Sequence, residues 1–165
     1  ESSSNICLAD FGAAGILTTK TGDESAFDDD SLDTIVGTAG YIAPEVVDLM
    51  YGGEGYGRPS DMWSFGVLVY LILCGKLPCD HQEVDDPVPE FDVTALMEGG
   101  EGSSPELAEL WNPISPLAKE IVKLTLVVDP TKRVTASTVE SHAWFADISW
   151  DGVSAGGDGF SLGGV

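Results

Sequence analysis

The sequence is poor in positive charge. Lys and Arg together number 7 against 28 Asp and Glu, and the formal net charge is −21. Such a surface repels nucleic acid and anionic membrane, so neither is expected as a partner. It would attract basic peptides or proteins, although charge alone favours the blander reading, an acidic soluble surface with no specific partner. Cysteine is scarce as well. Cys7, Cys74 and Cys79 have no metal-ligand spacing, and an odd, sparse set reads as free thiols in a reducing compartment. Long apolar runs are missing. The most apolar stretch, Val67 to Cys74, is far short of the roughly 20 residues that span a bilayer and reads as buried helix. There is no signal peptide, so a cytoplasmic or nuclear setting is expected. There is no initiator Met either, and the start at Glu1 reads as a fragment.

What is present suits one domain or a large piece of one: 165 residues, 43% hydrophobic, enough for a core. Asn5 to Ala9 reads as a short strand running into Asp10-Phe11-Gly12, with Ala13 to Leu17 as a possible second strand. Thr18 to Asp33 is acidic and reads as solvated loop. Gly37 to Leu49 leads from a turn into a short helix, and Tyr51 to Arg58 is Gly-rich loop. Pro59 opens a helix to Cys74 that is apolar nearly all round, the mark of a buried central helix, and Gly75 stops it. Residues 78 to 90 are acidic loop, followed by a short helix from an Asp92 cap to Gly99. Ser115-Pro116 opens another helix, in which Leu117, Ile121, Leu124 and Val128 repeat at helical spacing and predict the buried face. Thr135 caps a further helix reaching Glu140 or Ser141, and six glycines in the fifteen residues from Asp151 read as flexible tail.

The tripeptide Asp10-Phe11-Gly12 alone is weak, but its company is not. Thr38-Ala39-Gly40-Tyr41-Ile42-Ala43-Pro44-Glu45 follows after a loop, then Asp61-Met62-Trp63-Ser64-Phe65-Gly66-Val67. Asp129-Pro130-Thr131-Lys132-Arg133 comes near the end, and His142-Ala143-Trp144-Phe145 closes the series. In order and spacing the chain resembles the protein kinase family from its DFG segment to the end of the catalytic domain, over roughly residues 5 to 146. Gly37 to Tyr41 is of the serine/threonine type, since tyrosine kinases usually carry a proline-containing segment there. Leu71 to Pro78 and Val127 to Thr135 look most like the calcium/calmodulin-dependent kinase group.

The resemblance implies a mainly α fold: a kinase-like C-terminal lobe with one or two short strands at the N-terminus and no N-lobe. It divides the chain into a partial kinase domain, 1–146 (activation segment 10–45, helical lobe 46–146), and a Gly-rich tail, 147–165. It implies ATP and Mg²⁺ as cofactors and transfer of the γ-phosphoryl group to Ser or Thr of protein substrates, chemistry carried by positioning and charge neutralisation. Asp10 matches the Mg²⁺ ligand. Phe11 would pack under the regulatory helix of the N-lobe or simply in the core, and Gly12 lets the Asp-Phe pair reorient. Thr38 matches the threonine that contacts the catalytic aspartate, and Gly40 and Tyr41 shape the substrate pocket. Thr34 stands where many kinases are phosphorylated, or is an ordinary loop threonine; Asp28 to Asp30 could partly mimic that charge. Glu45 and Arg133 match a structural ion pair. Asp61 matches an anchor whose carboxylate accepts N–H groups from the catalytic loop. Leu68 and Ile72 match positions under the adenine pocket, and a core reading agrees. His142 and Trp144 match a structural end motif.

Two positions depart from the pattern. Cys79 stands where phenylalanine is frequent. Leu71 stands where some basophilic kinases carry an acidic residue that meets a substrate arginine. Basic substrates remain compatible with the acidic surface, and calmodulin could act only through regions outside this chain. The 165 residues hold no Gly-rich phosphate loop, no strand lysine with its helix glutamate, and no catalytic loop with its aspartate and asparagine. One metal ligand cannot hold ATP in line, so this chain alone is expected to be inactive. The alternative readings are a kinase-derived binding module and a pseudokinase scaffold.

Overall fold

The computed structural model describes residues 8–15, 17, 32–78 and 105–147. The chain is mainly helical, as the motifs imply. The acidic loop 18–31, the Asp92-capped helix, Cys7, Cys79 and the tail from 148 onward lie outside the described residues. Five α-helices are described: α1 (Pro44–Asp48), α2 (Pro59–Cys74), α3 (Pro105–Trp111), α4 (Pro116–Thr125) and α5 (Ala136–Glu140). Short 3-10 turns at Phe11–Ala13, Leu49–Tyr51, Pro130–Lys132 and Ala143–Phe145 connect or extend them. Of the two expected strands, the first is mostly outside the described residues. Ala13, where the second was to begin, lies instead in the 3-10 turn. Among the described residues the β pairing is one antiparallel bridge, Leu32 to Tyr56.

Helix α2 is the axis of the fold. Pro59 starts it, with φ already suited to the first turn. Gly75 ends it in the left-handed region, at φ +73°, returning its N–H to the Leu71 carbonyl at 2.7 Å. Ser60, Trp63, Val67, Tyr70 and Cys74 are buried along one stripe, with Gly66 and Val69 beside it. The expectation that Leu68 and Ile72 are core is corrected: they are 45% and 72% exposed. An apolar helix buries only what a neighbour covers, and the helices packed on α2 sit on the other side.

Those neighbours are α3 and α4. Trp111, at the end of α3, stacks on Tyr70 with ring centroids 5.3 Å apart, and both are buried. Lys119 lies over the outer side of the indole, its ammonium 5.6 Å from the centroid and 3.1 Å from the Asn112 carbonyl. Helix α4 begins at Ser115, whose hydroxyl accepts the Ala118 N–H, and buries Ala118, Ile121, Val122 and Thr125. Leu117 and Val128 are 41% and 46% exposed, so the stripe predicted from them is displaced by one residue. The helix ends at Thr125, which leaves Val128 in the following loop. The buried set 118, 121, 122, 125 follows the i, i+3, i+4, i+7 rule.

The two helices touch backbone to side chain at Gly66. A methyl group there would lie 2.9 Å from Leu126 Cδ2 and closer still to Thr125 Oγ1. Thr125 cannot swing away, because its hydroxyl donates to the Ile121 carbonyl at 2.8 Å in a fully buried site. Alanine at position 66 gains about 1 kcal/mol of helix propensity but must push α4 outward. We expect Gly66→Ala to lose about 1–3 kcal/mol net in chemical denaturation; an unchanged midpoint would show that the helices tolerate the extra methyl.

Candidate functional site

The most densely bonded side chain among the described residues is Arg133. The turn that delivers it is built locally. Asp129 accepts the Thr131 N–H at 3.0 Å and the Thr131 hydroxyl at 2.6 Å, and faces the Lys132 ammonium at 3.0 Å. Hydrogen bonds from Thr131 first, and Lys132 next, hold the Asp129 carboxyl down at about 2. Arg133 then enters the interior, with its side chain fully buried. Its five N–H groups make five hydrogen bonds: to Glu45 Oε1 (2.6 Å) and Oε2 (2.9 Å), and to the carbonyls of Pro59 (2.6 Å), Val127 (2.9 Å) and Val128 (3.3 Å). The guanidinium also lies 5.3 Å from the centre of the buried Trp63 ring. Glu45 sits in the first turn of α1, where Pro44 fixes the helix start. One side chain thus ties α1, the start of α2 and the loop after α4 together.

On the other side of α2 lies an open, mainly apolar groove of about 890 Å³. Leu8, Phe11 and Val36 line one side, and Asp61, Ser64 and Leu68 of α2 line the other. Phe11 is 61% exposed, which corrects the plain core reading. Asp61 is exposed, no hydrogen bond reaches its carboxylate among the described residues, and partial desolvation at the groove wall pushes its pKa upward. Asp10 adopts φ +62°, the one left-handed residue other than glycine among the described residues. That conformation costs an L-residue roughly 1–2 kcal/mol, so the local fold does not favour it by itself. Gly12 follows in the 3-10 turn.

Thr34, Thr38, Gly40 and Tyr41 lie on one continuous segment. Thr34 is exposed, and its hydroxyl donates to Asp33 at 3.2 Å. Thr38 accepts the Tyr41 N–H at 3.1 Å, closing a turn with Gly40 at φ +86°. A side chain at Gly40 would be strained and would meet Leu77. Two hydroxyls from outside hold this segment. The phenol of buried Tyr56 donates to the Thr34 carbonyl at 2.7 Å, and Ser64 donates to the Tyr41 carbonyl at 2.8 Å. In the sequence Ser64 appears only as a member of the 61–67 motif with no role of its own, and Tyr56 is not singled out. A tyrosine between two glycines and a serine in an apolar helix are polar groups that must find partners, and that was the available signal.

Among the described residues no group of three or more His, Cys, Asp or Glu is placed to hold a metal. Asp10 supplies one hard oxygen. Mg²⁺ bound with a nucleotide takes one or two carboxylates and completes its shell with phosphates and water, so Asp10 fits as one such ligand and no more. No described helix is long and apolar enough to cross a membrane.

The family described as protein kinase domain matches residues 1–145. The chain is similar to the calcium/calmodulin-dependent protein kinase cmkB of Emericella nidulans, 33% identical over 144 residues, which is 87% of this chain and 31% of that protein. It is similar to the serine/threonine protein kinase OSK3 of Oryza sativa subsp. indica, 34% identical over 146 residues, covering 88% and 24% of the two chains. Against human serine/threonine-protein kinase DCLK3 the identity is 35% over 144 residues, covering 87% and 19%. The chain spans about a third or less of the length of these relatives.

Two outcomes follow from the geometry. Arg133→Met strands the Glu45 carboxylate and three carbonyls, and is expected to cost about 3–5 kcal/mol. Glu45→Gln keeps one acceptor and should cost less, with the double variant less damaging than the sum; additive losses in denaturation would mean the two act separately. Asp61 carries the opposite sign. Its carboxyl is raised above the ordinary 3.8, so the folded state holds the proton more tightly than the unfolded state. The penalty of ionisation is absent below 3.8, grows as pH rises through the raised folded value, and is complete above it. Solvent screens this exposed carboxylate, so Asp61→Asn should stabilise this chain only slightly at about pH 7, with the gain vanishing on acidification. A pH-independent difference in melting temperature would refute that assignment.

Proposed function

The chain belongs to the protein kinase family, and on that premise we propose that it is the lower, helical part of a protein serine/threonine kinase that transfers the ATP γ-phosphate to protein hydroxyls. In this reading residues 10–45 are the activation segment, 46–146 the helical lobe and 147–165 a tail. Asp10 would hold Mg²⁺, which neutralises phosphate charge when bound. Phe11 packs under the regulatory helix of the N-lobe, Gly12 lets the Asp-Phe pair reorient, and Thr38 contacts the proton-accepting aspartate of the catalytic loop. Gly40 and Tyr41 form the pocket beside the acceptor, and Thr34 is the phosphorylation site.

One observation supports this reading most: Asp61 lines an open groove with a carboxylate that no described group satisfies. Asp61 is exposed in this chain, where water solvates it; a catalytic loop laid in the groove would cover the carboxylate and supply backbone N–H groups at that point, which a buried carboxylate needs. Phe11 and Leu68, which line the same groove, would be covered together with it. The acidic surface favours basic protein substrates, although Leu71 removes one acidic contact. The relatives named for calmodulin leave open a calmodulin-responsive whole, through segments other than these. The sparse cysteines fit a cytoplasmic or nuclear setting.

The test compares this chain with the full-length protein. The 165-residue chain should transfer no phosphate. The full-length protein should phosphorylate a basic Ser/Thr peptide, and Asp10→Ala should reduce kcat by at least about a hundredfold. Asp61→Asn, stabilising in the short chain, should become destabilising in the full-length protein, where loop donors need the charge. Nucleotide binding without transfer would turn the reading to a pseudokinase. No nucleotide binding, with the same stabilisation by Asp61→Asn in both forms, would turn it to a binding module.

A further inference from the structure

The segment from Thr34 to Tyr41 makes little regular structure of its own. Its described regularities are the Thr38–Tyr41 turn and, just before it, the Leu32–Tyr56 bridge, whose two backbone hydrogen bonds are each 2.9 Å. Its two ends are nevertheless fixed. Tyr56 is 6% exposed, and its hydroxyl is spent on the Thr34 carbonyl. Burial, then the nearby Asp61 and Asp33 charges, raise its pKa, so the phenol stays a donor. Ser64 has two acceptors within reach. The ordinary choice for a helical serine is the carbonyl four residues back, here Ser60 at 3.3 Å. The Tyr41 carbonyl is nearer, at 2.8 Å, and is 23 residues away in sequence.

We propose that Tyr56 and Ser64 are positioning residues for substrate: two hydroxyls that clamp the backbone at the two ends of the 34–41 segment and set its register against α2. The inference rests on the kinase reading for what the segment recognises, but the clamp itself is a matter of geometry. A carbonyl held at each end limits how far the Gly40 turn can shift. Between the clamps the Thr38–Tyr41 turn and the packing of Ile35 against the core add restraint, and glycines at 37 and 40, both at positive φ, leave the remaining backbone pliable. Loss of either hydroxyl should therefore loosen the pocket without unfolding the helices.

The experiment uses Tyr56→Phe and Ser64→Ala in the full-length protein, since both keep the packing and remove one donor. Amide hydrogen exchange over residues 32–41 should accelerate about tenfold, while the amides of α4 keep their rates. The KM for a peptide substrate should rise about three- to tenfold, the size of one lost hydrogen bond, with the KM for ATP unchanged. Unchanged exchange at 32–41, equal acceleration throughout the lobe, or faster exchange with an unchanged peptide KM would each overturn the proposal. A parent protein that transfers no phosphate refutes the kinase reading instead, and the exchange rates then still decide whether the clamp exists.

Discussion

Arg133 carries a permanent charge into a site closed to water, and the lobe is assembled around satisfying it. A guanidinium has five N–H groups in a fixed plane, and here each meets an oxygen. The two carboxylate contacts fix where α1 lies. The Pro59 carbonyl fixes where α2 starts, and the Val127 and Val128 carbonyls fix how the chain leaves α4. None of these oxygens is optional, because an unpaired N–H in that place costs more than a formed bond contributes. Lysine could not do the same work, having one ammonium where three directions are needed.

That arrangement leaves α2 with two unlike sides. Toward α3 and α4 it is packed tightly, through the Tyr70–Trp111 stack and the close approach at Gly66. Toward residues 8–15 and 32–41 it presents a groove, with Leu68 uncovered and Asp61 without donors among the described residues. The rigid side supports the open one. Ser64 stands between the two, on a helix whose position the core determines, and reaches across to a segment that has little structure of its own.

Local signals in the sequence were largely sufficient for the elements. Pro59 and Gly75 bound α2, while Ser115 and Thr135 cap the helices they precede. Each of those effects is settled within four residues. Burial is not settled so locally, which is why Leu68, Ile72, Leu117 and Val128 differ from the pattern. A stripe of leucine and valine says that a face is apolar, and only the partner says which part of it is covered. The motif residues Asp10, Glu45 and Arg133 were legible through their resemblance to a family. The carbonyls around Arg133 and the hydroxyls of Tyr56 and Ser64 were not, since a backbone oxygen has no sequence signature and the hydroxyls' partners are 22 and 23 residues away.

The Glu45–Arg133 contact joins residues 88 apart in the chain. Closing a loop of that length costs about 4 kcal/mol of chain entropy before any bond forms, so this contact is expected to form late in folding. On a ribosome the consequence is sharper. The helix that carries Glu45 emerges long before its partner is made, and everything through α4 must wait with that carboxylate in water. The lobe can close only once the Asp129 turn has left the exit tunnel, which makes that turn a checkpoint on the lobe. A protein truncated by translation before that turn would be a ready target for quality control, however complete its α2 core.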